Sequence, residues 1–259
     1  MSLNKQLKEE LKEEIIRKLK KKISEHNFSK KSGNPFIDII FGKYSNIKSF
    51  IHGTATMLGS EYEIMARKIA KSNPQFAIAD KRVLTGKISD KEKAVIKDLV
   101  KELEENKEGS DYDFEIEEIF KAEERNLKET RITIDLYLQD KKGKEFFIEM
   151  KGPDPNKKEV RAAKEDLLNV VAMKKREMEL KDFNKKVEII FGVYYNNTEG
   201  KYNNWKVSPM FKDEKGMKIQ EEFWDFLGGE NTFKDILEMI SEIKEEVYPL
   251  IKKRIESLS

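Results

Sequence analysis

Between residues 131 and 195 the apolar pattern changes period three times, and that succession constrains the fold more than any other feature of the chain. "RITIDLYLQD" alternates, with Ile132, Ile134, Leu136 and Leu138 on one face and Thr133, Asp135 and Tyr137 on the other. "DKKGK" reads as a turn. "EFFIEMK" is a second strand, with Phe146, Ile148 and Met150 opposite Phe147, Glu149 and Lys151. Residues 157–181 then take helical spacing, with Val160, Ala163, Leu167, Val170 and Val171 facing inward. "VEIIFGVYY" is apolar almost throughout, the mark of a central strand covered on both faces. A hairpin, a crossover helix and a buried strand predict an α/β chain with a small mixed β-sheet flanked by helices.

The flanks are read as helical elaborations. Helices are predicted over residues 3–24, 36–50, 60–72 and 90–108. "SKKSGNPF" interrupts the first two at Gly33 and Pro35, "HGTATMLG" is a small-residue turn, Ser60 is an N-cap, and "NKEGSD" ends the fourth helix. "WKVSPMF" reads as a fourth, edge-like strand, because Pro209 removes a ladder donor. Helices over 218–227 and 231–258 close the chain. Without repeats or a Pro- or Ser-rich linker, residues 1–259 read as one domain. It comprises a mainly helical part (1–110), a core sheet with crossover helix (111–215) and C-terminal helices (216–259).

Composition bounds the chemistry. There is no cysteine and there are two histidines, so thiolate metal sites are excluded and any metal is held by carboxylates, which favours Mg²⁺. The 51 basic residues nearly balance 49 acidic ones, so a nucleic-acid partner is neither announced nor excluded; where the basic residues cluster decides. The N-terminus carries no apolar signal core, and no apolar run approaches the roughly 18–20 residues of a membrane span. The expectation is a cytoplasmic protein.

Glu149 and Lys151 pose the functional question. The chain holds eight Asp/Glu-x-Lys spacings, but only Glu149-Met150-Lys151 lies within an apolar strand, where both charges share a face. An antiparallel hairpin brings Asp135 toward them. Two close carboxylates repel, and a divalent cation removes that penalty, lowers the pKa of water and offsets charge on phosphorus. The bland alternative, a cross-strand ion pair at a sheet edge, is worth about 1 kcal/mol at most. The apolar flanks and the "GPDPN" turn after Lys151 favour phosphodiester hydrolysis.

At these residues the sequence resembles a family. Asp135, thirteen residues, then Glu149-x-Lys151 is similar to the PD-(D/E)XK nuclease core, with Ile134 in place of its proline. "IEMKGPDPNKKE", "VYYNNTEGKYNNW", "FIHGTATMLGSEYEIMARKIA" and "EEFWDFLGG" resemble segments of the TdeIII family of type II restriction endonucleases, together spanning roughly residues 50–230. The resemblance implies a restriction-endonuclease-like fold and Mg²⁺-dependent cleavage of double-stranded DNA at a palindromic site, GGNCC. It further implies a homodimer and a companion methyltransferase acting on the same site. Asp135 and Glu149 are then the metal ligands, Lys151 handles the attacking water, and Glu63, on the family's Tyr-Glu helix, assists. Alternatives are a structure-specific repair or junction-resolving nuclease of the same core, and an inactive DNA-binding relative.

Supporting residues carry plainer readings beside the functional one. Glu61 competes with Glu63 for the site, and His52 reads as structural or as a backbone contact rather than as a base. Asn156, Lys157 and Lys158 open the crossover helix, where a phosphate can bind; an ordinary N-cap with a solvated first turn explains them equally well. Arg161 and Lys164 extend that patch. Tyr195, Asn196, Asn197, Lys201 and Asn204 form a polar, aromatic loop beyond a strand, suited to reading bases or to being a plain loop.

Overall fold

The computed structural model describes residues 3–27, 34–105, 109–122, 126–211 and 215–256, the Lys43 side chain excepted. Gly33 and the first half of "NKEGSD", residues 106–108, lie outside these residues. In chain order the elements are α1 (Lys5–Glu25), α2 (Pro35–Phe41), a 3-10 turn (Gly42–Tyr44), α3 (Ile47–Ser72), β1 (Phe76–Ser89), α4 (Asp90–Glu105), α5 (Tyr112–Lys121), β2 (Leu127–Asp140), β3 (Glu145–Lys151), α6 (Lys157–Lys174), α7 (Leu180–Lys186), β4 (Val187–Val193), β5 (Met217–Ile219), α8 (Glu221–Gly228) and α9 (Thr232–Glu256). The described residues fall into two compact units, Met1–Met65 with Glu230–Ser259, and Ala66–Gly229. No described helix is long and apolar enough to cross a membrane.

The first unit is helical. α1 and α9 pack together through apolar stripes that include Leu11, Ile15 and Leu19 on one helix and Met239, Ile243 and Val247 on the other. Lys8 and Lys12 meet Glu242 across the seam, at 3.3 and 2.7 Å. "HGTATMLG" is not a turn: it runs through the middle of α3, and Ser60 lies inside the helix rather than capping it. A Cβ on Gly53 would sit 2.7 Å from Lys22 Nζ of α1, a contact that the flexible lysine side chain could relieve by moving.

The second unit holds a five-stranded sheet in the order β1-β2-β3-β4-β5. β1/β2 and β2/β3 pair antiparallel, β3/β4 and β4/β5 parallel. α6 makes the parallel crossover expected from the sequence. The predicted long helix stops at Lys174, and α7 forms separately after a turn. "WKVSPMF" is turn rather than strand, because Asn204 Oδ1 accepts from Lys206 N (2.9 Å) and the Asn204 carbonyl accepts from Val207 N, curling the backbone. The last strand is instead β5, which takes the first residues of the predicted 218–227 helix. β1 and α5 have no counterpart in the sequence reading.

Both faces of the sheet are covered. On one, Val160, Ala163, Leu167 and Val171 of α6 pack with Tyr137, Phe147, Ile189 and Phe191 in the main core. On the other, Phe76, Phe146 and Phe226 form an edge-to-face cluster. The strict alternation expected of β2 fails at one point. Asp80 pairs with Tyr137 but Arg82 pairs with Ile134, so β2 carries one extra residue there, a β-bulge. Ile132 and Ile134 therefore join Tyr137 and Phe147 in the α6-side core, while Leu136 and Leu138 are buried outside it.

Candidate active site

Asp135 sits in that bulge. The β2/β3 ladder pairs Leu136 with Ile148 and goes no further, so the two strands separate beside Asp135. Its side chain takes over a backbone role: Asp135 Oδ2 accepts from Met150 N at 3.0 Å. Arg67 Nη1 donates to the Asp135 carbonyl at 3.3 Å, so both the backbone and the carboxylate of this residue are held.

Glu149 and Lys151 lie at the end of β3, on the Phe147 side. Lys151 Nζ is 3.3 Å from Asp135 Oδ2 and 3.3 Å from Glu149 Oε2, bridging the two carboxylates. The three residues singled out from the sequence thus converge. The local reason is the combination of pleat and bulge: alternation aligns Glu149 with Lys151, and the extra residue in β2 turns Asp135 toward them.

Glu149 is only 5% exposed. Burial, reinforced by the Asp135 charge, pushes its carboxyl up to about 8, and the Lys151 ammonium only partly opposes this. Its Oε1 atom is buried with no hydrogen-bond partner. Burial alone would lower Lys151, but Asp135 and Glu149 more than offset that and hold its pKa above the usual lysine value.

A further carboxylate belongs to this electrostatic neighbourhood. Asp166 of α6 is raised by burial and by Glu165, with Lys151 opposing. Sequence reasoning missed it. The signal was present: Asp166 lies on the inward stripe of α6, three residues after Ala163 and four before Val170, where an acid is out of place.

A divalent cation fits this arrangement. A buried, orphaned carboxylate oxygen next to a second carboxylate is a donor set that a hard cation satisfies. Among the described residues no group of three or more carboxylates or histidines is preformed around one point. The protein's own donors would therefore be Asp135 and Glu149 alone, which suits an ion that keeps most of its waters.

The other residues named from the sequence are placed as follows. Asn156 is the N-cap of α6 in a reciprocal capping box with Glu159, so its side chain is occupied by the helix terminus. Asn204 is buried, donating to the Pro153 carbonyl at 3.0 Å and to Asp154 Oδ1 at 3.2 Å, and so clamps the "GPDPN" turn. Asn196 closes a local turn by accepting from Thr198 N at 3.0 Å. Lys164 is not an extension of a surface patch: it is buried 2.5 Å from Glu115. Lys157, Lys158, Tyr195, Asn197 and Lys201 are exposed, with the Lys157 ammonium 4.6 Å from the Trp205 ring. Arg161 is engaged by Glu165 at 2.8 Å and Glu104 at 3.2 Å. In the first unit, Glu61 is buried 2.5 Å from Lys18, while Glu63 is half-buried on α3 and His52 is exposed there.

A mixed sheet flanked by helices, with a parallel crossover and two carboxylates gathered around a lysine where β2 and β3 part, defines a restriction-endonuclease-like α/β protein. The chain belongs to the HinfI family of type II restriction endonucleases, whose family model matches residues 3–244. It is similar to three type II restriction enzymes of Herpetosiphon aurantiacus. Identity to HgiEI is 26% over 45% of this chain and 42% of that enzyme. HgiCII is 24% identical over 79% of this chain and 75% of the relative. HgiBI is 23% identical over 76% and 72%.

Proposed function

We propose that this chain hydrolyses phosphodiester bonds in double-stranded DNA at a short palindromic site, with Mg²⁺ as cofactor and a PD-(D/E)XK set of Asp135, Glu149 and Lys151. The observation that carries this reading is the convergence of those three residues around the unpartnered Glu149 oxygen. Asp135 and Glu149 are the residues that would hold the ion, and when bound it supplies positive charge against the scissile phosphate and acidifies water. Lys151, with its raised pKa, carries its proton at neutral pH, so it serves as a cation and hydrogen-bond donor toward the phosphate or the attacking water. Asp135 is kept in place by Met150 N, which limits the reorganisation needed during reaction.

Exposed Lys157, Lys158, Tyr195, Asn197 and Lys201 are the proposed DNA contacts, while Asn156 and Asn204 shape the turn that leads into Lys157 and Lys158. The likeness to TdeIII segments suggests GGNCC as the site. A companion methyltransferase would act on the same sequence. A palindrome has two-fold symmetry, so the working form is a homodimer.

The test is plasmid digestion with Mg²⁺, followed by run-off sequencing of the products. Wild type is expected to give discrete fragments with one recurring end sequence. Lys151→Ala is expected to lose about 10²- to 10⁴-fold in rate. Undiminished banding from Lys151→Ala overturns the assignment, and cuts that follow junctions or flaps rather than sequence would make it a structure-specific nuclease.

A further inference from the structure

A groove of about 440 Å³ lies between α4 and α6, walled by Lys93 and Lys97 of α4, Arg161, Glu165 and Asn169 of α6, and Thr130 of β2. Lys93 and Lys97 are four residues apart, so their side chains lie one above the other on the same helix face. Both are exposed, and neither has an ion-pair partner among the described residues. Glu165 of the groove wall and Glu104 of α4 share Arg161, at 2.8 and 3.2 Å, and neither is paired with Lys93 or Lys97.

The polar groups of the wall are also unspent. Thr130 Oγ1 is buried without a hydrogen-bond partner, one χ1 rotation away from other orientations. The Asn169 amide makes no hydrogen bond among the described residues. Two free ammoniums, an amide and a hydroxyl form a donor set for phosphate oxygens, beside an Arg161 guanidinium already held by Glu165 and Glu104.

Topology puts this groove toward the cleavage end of the sheet. β2 runs antiparallel to β3, so the residues before Asp135 continue past the point where β3 stops. Thr130 is five residues before Asp135, roughly 16 Å away at about 3.3 Å per strand residue. α4 begins directly after Ser89, which pairs with Leu127 at that same end, and α6 begins just after the "GPDPN" turn. Lys93, Lys97 and Arg161 all sit within the first two or three turns of their helices.

We propose that the α4/α6 groove is a phosphate-binding site that holds the backbone of the duplex outside the cut site; this rests on the DNA-cleaving reading above. Its contacts are independent of base sequence, and they anchor the flanking helix while the exposed loop residues read the site.

The experiment uses the full chain and measures binding to two duplexes by fluorescence anisotropy in EDTA over a range of KCl. One duplex contains the mapped site and the other a scrambled one. Each phosphate contact contributes about 0.9 to the slope of log K against log[salt]. Lys93→Gln/Lys97→Gln is therefore expected to reduce that slope by about 1.8 on both duplexes, with the cleavage rate at saturating DNA within about twofold of wild type. Thr130→Val, isosteric and uncharged, is expected to weaken binding equally at every salt concentration with the slope unchanged. Slopes that superimpose for wild type and the double variant overturn the proposal. So does a groove that binds inorganic phosphate by calorimetry while duplex slopes stay the same, since the ligand is then a free anion. A wild type that binds duplex and never cuts defeats the cleavage reading while leaving the slope test intact. One that binds no duplex overturns both.

Discussion

Glu149 begins from an ordinary carboxyl value of 4.5 and is pushed up to about 8 by burial and by the Asp135 charge. The sign of its effect on stability follows. Between those two values the folded chain holds a proton that the unfolded chain has released, so stability falls as pH rises through the window. The contribution is fully present below about pH 4.5 and gone above about 8. Glu149→Gln keeps the shape and removes the ionisation. In EDTA its melting temperature is therefore expected to exceed that of wild type at pH 8.5, and the two curves are expected to approach one another near pH 5. Saturating Mg²⁺ should raise the wild-type melting temperature at pH 8.5 and leave that of Glu149→Gln nearly unmoved, because a ligand stabilises only the state that binds it. Differential scanning fluorimetry across pH, with and without Mg²⁺, checks both; identical pH profiles for the two proteins would remove Glu149 as the titrating group. The core of this site was legible because a strand obeys a period of two, so Glu149 and Lys151 had to share a face. Asn156 and Asn204 were legible only as polar residues at turns. Whether such an amide caps a backbone or reads a base depends on which carbonyls and amides the fold brings within reach, and no local pattern records that.

The β2 bulge decides what each side chain in the strand does, since the extra residue brings Ile132 and Ile134 to the same side as Tyr137. A bulge has no periodic signature, which is why alternation alone assigned those isoleucines to the wrong face. The same limit explains "HGTATMLG". Glycine and threonine are weak helix formers, yet here they sit inside a 26-residue helix, because propensity is a weak local preference that the rest of the helix outweighs. β1 escaped notice because its buried positions are sparse, with charged and partly exposed residues throughout its middle. The "EEFWDFLGG" segment likewise proves to be packing. Trp224 Nε1 donates to the Tyr194 carbonyl at 2.7 Å, and Phe223 lies flush against Gly192 of β4, beside Met150 of β3. A Cβ on Gly192 would sit 2.6 Å from Phe223 Cε2, on a ring with no exposed surface to move into. Gly192→Ala is thus expected to destabilise by about 1–3 kcal/mol, the usual cost of overpacking. Urea unfolding measures it, and a second variant, Gly192→Ala with Phe223→Leu, should recover part of the loss by making room. A single variant as stable as wild type would mean that α8 is free to slide.

At the scale of the whole molecule, the surface feature that most needs an explanation is α2. In "PFIDIIF" no residue is buried; Phe36 is 75% and Ile39 82% exposed, and Ile40 and Phe41 are also largely open to solvent. Phe36, Ile39 and Ile40 share one face at i, i+3 and i+4 spacing. Ile51 of α3 is a further large apolar side chain left open to solvent. Monomeric proteins seldom leave that much apolar area in water. A homodimer gives it an occupant: a two-fold axis places the same patch on both subunits, so one apolar helix can cover its own copy. Sedimentation equilibrium of wild type is expected to show a dimer. Ile39→Asp/Ile40→Asp removes two large apolar side chains from each subunit, four in the dimer, and at about 1.5 kcal/mol per side chain the dimer should weaken by roughly 10⁴-fold. The chain retains its own Asp135, Glu149 and Lys151, so the monomeric variant should keep some nicking of supercoiled plasmid while concerted double-strand cutting falls. A variant that dimerises as tightly as wild type would place the two-fold axis on another surface. A wild type that stays monomeric at all concentrations and instead binds lipid vesicles through α2 would make the patch a membrane contact.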